Sequence, residues 1–132
     1  MQALDHVSIT VRRLEAVMGF YDAIFSALGL AKVYEMQDKA GYGERNRQGD
    51  DAHTYLSIFE SAAAQADPRR HWCLRAANAA QVRAFHAAGV AAGGRDAGAP
   101  GLRPHYHAGY YAAFLEDPEG NRIEAVTHGG DA

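Results

Sequence analysis

Two histidines and one glutamate have the residue types and the spacing of a metal site. His6 lies in LDHVSITV, His71 lies 65 residues later in HWCLRA, and Glu124 lies in NRIEAVT. Each stretch alternates apolar and polar residues, which predicts a β-strand with one packed face, and each candidate falls on the opposite face. Two imidazoles and one carboxylate leave coordination positions open on an ion such as Fe(II) or Mn(II), where substrate or oxygen can bind.

A purely structural interpretation competes with the metal site. A single histidine is more often a hydrogen-bonded core or surface residue than a metal ligand. A glutamate in the middle of a strand is often a solvated carboxylate on an open sheet face. The metal interpretation depends on the three side chains projecting into the same concave side of the fold.

The first half of the chain predicts a strand, an amphipathic helix and further strands. The predicted elements are a strand over 4–11, a helix over 12–28 that stops at Gly29, strands over 30–35 and 54–60, and a weak strand or turn at 41–43. The helix is predicted from apolar residues that recur at intervals of three and four.

The second half repeats this pattern. It predicts a strand over 71–76, a helix from an Asn78 N-cap to about Ala92, a Gly/Pro-broken segment over 96–109, and strands over 110–115 and 121–127. The turn between the last two strands is Asp117-Pro118-Glu119-Gly120, in which Pro fixes φ and Gly closes the turn.

The two halves align without a gap at an offset of 65 residues. The aligned pairs include His6 with His71, Ile9 with Leu74, Val17 with Val82 and Phe20 with Phe85. A repeated unit of this size usually buries its apolar face against another copy. We therefore predict an α+β fold in one domain over 1–132, with two βαβββ modules (about 1–61 and about 69–128) forming a cleft between mixed sheets.

Composition restricts the class of protein. With 132 residues and a net charge of −3, no cluster of Lys and Arg exceeds a pair, so a nucleic-acid partner is not expected. Cys73 is the only cysteine, which excludes an internal disulfide and fits a reducing cytoplasm. No apolar run is long enough for a membrane span, and the start of the chain lacks a signal-peptide pattern. The expected location is cytoplasmic.

A second group of polar residues lies in LRPHYHAGYY. These residues are predicted to form a rim over the cleft, in which His105, His107 or Tyr110 would act as a general acid or base. Arg103 would clamp an anionic substrate, and Tyr111 would contact it. The alternative is that the His-x-His stretch is an exposed loop and the tyrosines are ordinary strand residues.

The chain resembles the vicinal oxygen chelate superfamily, which includes glyoxalase I, bleomycin-resistance proteins, fosfomycin-resistance transferases and extradiol dioxygenases. The resemblance rests on LDHVSITV with RLEAVMGFYDAIFSALGL, on HWCLRA with AFHAAG, and on DPEGNRIEAVTH. It implies a divalent ion (Fe, Mn, Ni or Zn) in the cleft, held by His6, His71 and Glu124. Short two-module members can form the site between subunits, so the resemblance also implies a homodimer.

One position departs from the glyoxalase I pattern. If Leu56 matches Ile123, then Ser57 matches Glu124, at a place where many glyoxalases have a carboxylate. Serine is a poor ligand, so Ser57 is expected to contact substrate instead. Two functions remain open. One is a metal-dependent lyase, isomerase or dioxygenase for a small oxygen-rich substrate, and the other is a metal-free drug-binding protein of the bleomycin-resistance type.

Overall fold

The computed structural model describes residues 3–132, which form two mixed four-stranded sheets, each with one helix. Module one contains β1 (His6–Val11), α1 (Leu14–Ala27), β2 (Lys32–Glu35), β3 (Lys39–Gly43) and β4 (Tyr55–Glu60). Module two contains β5 (His71–Arg75), α2 (Ala79–Ala91), β6 (Arg95–Leu102), β7 (Tyr111–Glu116) and β8 (Arg122–Thr127). The strand orders are β1-β4-β3-β2 and β5-β8-β7-β6. The predicted α+β fold of two βαβββ modules is confirmed.

One strand was missed by the sequence pattern. The segment predicted as broken by Gly and Pro contains β6, which pairs antiparallel with β7. The register shifts on both sides of Gly98, so the strand lacks the regular alternation that sequence reasoning requires. Pro100 is tolerated because β6 is an edge strand, where a missing N–H need not break the ladder.

The two sheets share the same register at their centres. In module one Ser57 pairs with Ser8, and in module two Glu124 pairs with Cys73. Each of these four residues is the third residue of its strand, and both strand pairs are parallel. Ser57 therefore occupies the place of Glu124, as the sequence match predicts.

The helices make the main contact between the modules. Phe20 and Ile24 of α1 lie against Gly89 of α2, where an added Cβ would be 2.3 Å from Leu115 of β7. Because each helix covers one face of its own sheet and the helices pack together, the uncovered sheet faces turn away from this contact. Within residues 3–132, neither α1 nor α2 is long and apolar enough to cross a bilayer.

A buried carboxylate in the β7–β8 turn joins module two to α1 through a hydrogen bond. Asp117 is fully buried, and it accepts hydrogen bonds from the Tyr21 hydroxyl (2.6 Å) and the Asn121 side-chain amide (2.9 Å). The backbone N–H groups of Glu119 and Asn121 donate to its other oxygen. Burial, and then the Asp117 charge, raises the pKa of Tyr21 well above its usual value, so the hydroxyl keeps its proton and donates.

The same turn caps α1. Arg13 is the N-cap residue of α1 and provides no side-chain cap of its own. The Glu119 carboxylate accepts instead from the backbone N–H groups of Arg12 (2.6 Å) and Arg13 (2.8 Å). A carboxylate at a helix N-terminus satisfies orphan donors and complements the helix dipole. The turn thus replaces a local cap with a contact between modules.

The Tyr21 contact generates a stability prediction. Replacing Tyr21 with Phe removes the hydroxyl and leaves one oxygen of buried Asp117 with fewer donors, so we expect a loss of about 1 to 3 kcal/mol. The measurement is chemical denaturation followed by circular dichroism. Tyr106→Phe is the matched control because the Tyr106 side chain is exposed. Equal stabilities for the two variants would show that the Tyr21–Asp117 hydrogen bond does not contribute to the stability of the fold.

Candidate functional site

The uncovered face of the second sheet brings two of the three predicted ligands together. This surface, called the second cup, consists of His71, Cys73, Phe114 and Glu124 with adjoining Tyr110. His71 Nε2 lies 3.1 Å from Glu124 Oε1, and the Tyr110 hydroxyl donates to Glu124 Oε2 at 2.5 Å. Glu124 is only 2% exposed, so its carboxylate is held in place with both oxygens in contact with protein.

Burial and the Glu124 carboxylate raise the pKa values of the neighbouring Tyr110 hydroxyl and Cys73 thiol. Desolvation, and then the hydrogen bond to Glu124, raises the pKa of Tyr110, which therefore stays protonated and serves as a donor. Cys73 as a whole residue is exposed, but desolvation at its sulfur followed by the Glu124 charge raises the pKa of the thiol to about 12. The Phe114 ring packs beside His71, with 6.1 Å between ring centroids.

His6 lies on the uncovered face of the first sheet. Its Nδ1 is 2.5 Å from Asp5 Oδ1, and its ring stacks on Tyr55 at 4.9 Å. Its Nε2 has no hydrogen-bond partner among residues 3–132. Metal-binding histidines commonly have their second nitrogen held by a carboxylate, which is the arrangement of His6 and Asp5.

The three predicted ligands do not converge within one chain. His71 and Glu124 are in contact, whereas His6 lies on the other sheet. The part of the chain that the structure describes contains no group of three or more His, Cys, Asp and Glu residues placed to hold a metal ion. The reason is the helix-to-helix packing of the modules, which turns the two polar faces away from it. The ligand assignment stays a prediction.

The donor pair on the second cup fits a divalent ion. Adjacent ligands of an octahedral ion with bonds of about 2.1 Å are about 3.0 Å apart. His71 Nε2 and Glu124 Oε1 are 3.1 Å apart. An imidazole and a carboxylate also match the ligand preferences of Fe(II), Mn(II), Ni(II) and Zn(II). This pair needs at least one further donor to form a closed set.

The predicted rim residues differ in their relation to the second cup. His107 Nε2 lies 2.9 Å from His128 Nδ1, and both rings meet Tyr110 edge-on at 5.5 Å. His107 thus reaches Glu124 only through Tyr110. His105 is exposed and packs on Tyr106 (4.3 Å), without a contact to the cup. Sequence reasoning missed His128, which lies one residue beyond β8 and has no pattern of its own.

Arg103 is largely committed to its own loop. Its guanidinium donates to the carbonyl oxygens of Gly101 (2.8 Å) and Ala99 (2.9 Å). It also lies over the Phe114 ring at 5.6 Å, which places it next to the second cup. Its predicted role as an anion clamp therefore rests on the donors that these carbonyls do not use.

Tyr111 does not share the face of the second sheet that carries Glu124, and its predicted substrate contact stays a prediction. Tyr111 is 7% exposed and belongs to the hydrophobic core on the helix side of the second sheet. Its hydroxyl is near Arg83 of α2 (3.4 Å). Side chains alternate along β7, so Phe114 shares the Glu124 side and Tyr111 does not.

The uncovered face of the first sheet, which carries His6 and is called the first cup, contains a small cavity of about 180 Å³. Its lining residues are His6, Ser8, Tyr34, Met36, Lys39, Arg45, Tyr55, Ser57 and Phe59. Ser57, predicted to contact substrate, is among them and accepts a hydrogen bond from the Tyr34 hydroxyl (2.6 Å). The alternation of TYLSIFE could have identified Tyr55 and Phe59, but Arg45 comes from a loop without periodicity.

The comparisons with known proteins agree with this fold. The family model described as the Glyoxalase/Bleomycin resistance protein/Dioxygenase superfamily matches residues 3–125. No curated protein matches the chain. A solved glyoxalase/bleomycin resistance protein from Albidiferax ferrireducens T118 has 28% identity and a TM-score of 0.78, over 95% of this chain and 98% of that chain.

Two further solved structures share the fold at lower identity. A lactoylglutathione lyase from Agrobacterium tumefaciens has 20% identity and a TM-score of 0.62, over 96% of this chain and 93% of its own. A glyoxalase/bleomycin resistance protein/dioxygenase family enzyme from Burkholderia phytofirmans PsJN has 19% identity and a TM-score of 0.67, over 95% and 98%. By its matched residues and its fold, the chain belongs to the glyoxalase/bleomycin resistance protein/dioxygenase superfamily.

Proposed function

We propose that this protein is a divalent-metal-dependent enzyme, a lyase, isomerase or dioxygenase, that acts on a small oxygen-rich substrate. The observation that carries the proposal is the buried Glu124 carboxylate beside His71. Among residues 3–132 it has no Lys or Arg partner within salt-bridge distance. Burying a carboxylate without a compensating cation costs free energy. A divalent ion between His71 and Glu124 would supply the missing positive charge.

The third donor is proposed to come from a second copy of the chain. His6 has a free Nε2 on the first cup, and the His71–Glu124 pair lies on the second cup. In a twofold dimer, the first cup of each chain can lie against the second cup of its partner, which gives two equivalent sites. The small volume of the first cup, about 180 Å³, supports this arrangement. Sites for drug-sized ligands are typically about 300 to 1,000 Å³, so the first cup alone is a partial site.

The polar residues around Glu124 would then have separate parts in the chemistry. A bound divalent ion would act as a Lewis acid that stabilises an enolate or catecholate. Tyr110 keeps its proton, and its hydroxyl donates the hydrogen bond that holds the second oxygen of Glu124 in place. The His107–His128 pair packs edge-on against the Tyr110 ring and would help to hold that ring in place. His105 has no contact that supports its predicted catalytic role.

A metal-free binding protein of the bleomycin-resistance type is the second candidate. The aromatic wall of the first cup, formed by Tyr34, Tyr55 and Phe59, favours it. So does Ser57, which stands where Glu124 stands in the other module. Metal analysis of protein purified without an affinity tag separates the two functions, because a stoichiometric divalent ion is expected only for the enzyme.

Replacing Glu124 with Gln tests the proposed ligand. The amide keeps the size and hydrogen-bonding capacity of the side chain but lacks the charge, so metal affinity is expected to fall by more than the roughly 10–100-fold typical of an outer-shell change. Binding of Fe(II), Mn(II), Ni(II) and Zn(II) is measured by calorimetry, with thermal melts to check folding.

Glu60→Gln is the matched control, because Glu60 is exposed at the end of β4 and makes the same change in charge. Its metal affinity should equal that of the unchanged protein. If Glu124→Gln binds as tightly as Glu60→Gln, Glu124 is not a ligand. If the unchanged protein binds none of the four ions, the metal-free binding protein is the better proposal.

Assembly gives a separate prediction. Sedimentation equilibrium at micromolar concentration is expected to give twice the 14.2 kDa mass of the chain. The physical reason is that each cup is open on one side and each sheet has exposed edge strands, both of which a second chain can cover. A single species with the mass of one chain would contradict the dimer.

Mixing two variants that each lack one proposed metal ligand tests whether the metal site lies between chains. His6→Asn removes a ligand from the first cup, and Glu124→Gln removes one from the second. A mixed dimer with shared sites has one intact site, so random exchange should restore about one metal ion per four chains. A site within one chain would stay defective in both variants, and the mixture would bind no more metal than the separate proteins.

A further inference from the structure

The residues that line the first cup carry positive charge, and the nearest carboxylate, that of Asp5, contacts the His6 ring at the edge of the cup. Among its lining residues are two cations, Lys39 and Arg45, and no Asp or Glu. This contrasts with the chain as a whole, which has a net charge of −3. A cavity lined by charge of one sign concentrates ligands of the opposite sign. The local charge therefore points to an anionic ligand.

Arg45 is held by aromatic rings and has no carboxylate partner. Its guanidinium lies 5.2 Å from the ring centroids of both Tyr34 and Tyr55. Within residues 3–132 its side chain makes no salt bridge and no hydrogen bond to protein, so all its N–H donors remain available. The two cation–π contacts restrict the orientation of the guanidinium, which reduces the entropy that is lost when it binds a ligand.

The second cation is arranged in a similar way. Lys39 Nζ lies 5.9 Å from the Phe59 ring centroid, and it too makes no salt bridge within the described part of the chain. The wall between the cations is aromatic, and it continues to His6, whose ring stacks on Tyr55 at an angle of 13°. A flat ligand can pack on such a wall while its charged end meets the cations.

We infer that the first cup binds a planar carboxylate, with the carboxylate on Arg45 and Lys39 and the flat body against Tyr34, Tyr55 and Phe59. A guanidinium and a carboxylate form paired, charge-assisted hydrogen bonds, and the planar carboxylate group can lie flat along the aromatic wall. The inference rests on the proposed function in one respect, because it assigns the substrate class of the site that His6 enters. Because Arg45 and Lys39 are positively charged, a cationic ligand is not expected to bind in the first cup.

Three nearly isosteric probes test the charge preference. Benzoate, benzamide and benzamidine share a planar ring and carry a negative, zero and positive charge. The full-length protein is stripped of metal with EDTA, dialysed, and titrated with each probe by NMR. Benzoate is expected to bind about three- to tenfold more tightly than benzamide, since the cations are partly exposed to water, and benzamidine more weakly than both.

Two variants locate the binding site. Arg45→Gln is expected to weaken benzoate binding at least about threefold and to leave benzamide binding unchanged. Arg47→Gln is the matched control: it lies on the same loop, makes the same change in net charge and is not part of the lining. Thermal melts confirm that both variants fold. Lys39→Gln is expected to act in the same direction as Arg45→Gln.

The outcomes separate this inference from the metal site. Equal effects of Arg45→Gln and Arg47→Gln, benzamidine binding as tightly as benzoate, or no binding of any probe would overturn the planar carboxylate while leaving the Glu124 metal test unaffected. Selective benzoate binding that requires Arg45, in a protein that binds no metal, would support the anion site and reject the proposed metal enzyme.

Discussion

The packing of α1 against α2 is the constraint on which the placement of the site residues depends. It requires close approach, and small residues provide it: a Cβ on Gly94 would lie 2.4 Å from the Phe20 ring, and one on Gly89 would meet Leu115. The buried Asp117 carboxylate and the Glu119 carboxylate, which caps α1, hold the β7–β8 turn against α1. Because the helices occupy the space between the modules, the polar sheet faces turn outward and the two cups of a chain stay apart.

The modules have the same topology but different cup surfaces. In module one Gly41 pairs with Ser57, and the Tyr34 ring occupies the space where a Cβ on Gly41 would lie, at 2.2 Å. In module two Phe114 takes the place of Gly41 and pairs with Glu124. The glycine therefore makes room for an aromatic wall in the first cup, while the second cup keeps a buried carboxylate. One duplicated unit thus gives an aromatic surface with two cations and a second surface that contains a buried carboxylate.

Sequence reasoning predicted most features that follow from strand alternation. The strand phases of His71 and Glu124 follow from the two-residue period of a strand, and the match of Ser57 with Glu124 follows from the repeated unit; the structure has both. The same rule would have placed Tyr111 on the core side of β7, and its assignment to the rim ignored that rule.

Features that depend on irregular backbone or on tertiary contacts were not predictable in this way. The strand β6 has two register shifts, so its alternation is interrupted. Arg45 reaches Tyr34 and Tyr55 from a loop, and His128 meets His107 across 21 residues. The separation of His6 from His71 depends on how the helices pack. No local pattern in the chain encodes that packing, since the same two modules could also be joined with their sheets facing each other.

The two cups, if paired across a dimer, would be electrostatically linked. A substrate carboxylate held by Arg45 and the Glu124 carboxylate would then share one poorly hydrated cavity, where two like charges repel strongly. A divalent ion bound to His71 and Glu124 would reverse the sign of that interaction. By linkage, the ion must then raise the affinity for the anion by the same factor as the anion raises the affinity for the ion. An anionic substrate would therefore bind more tightly to the first cup when the ion is present than in the metal-free protein.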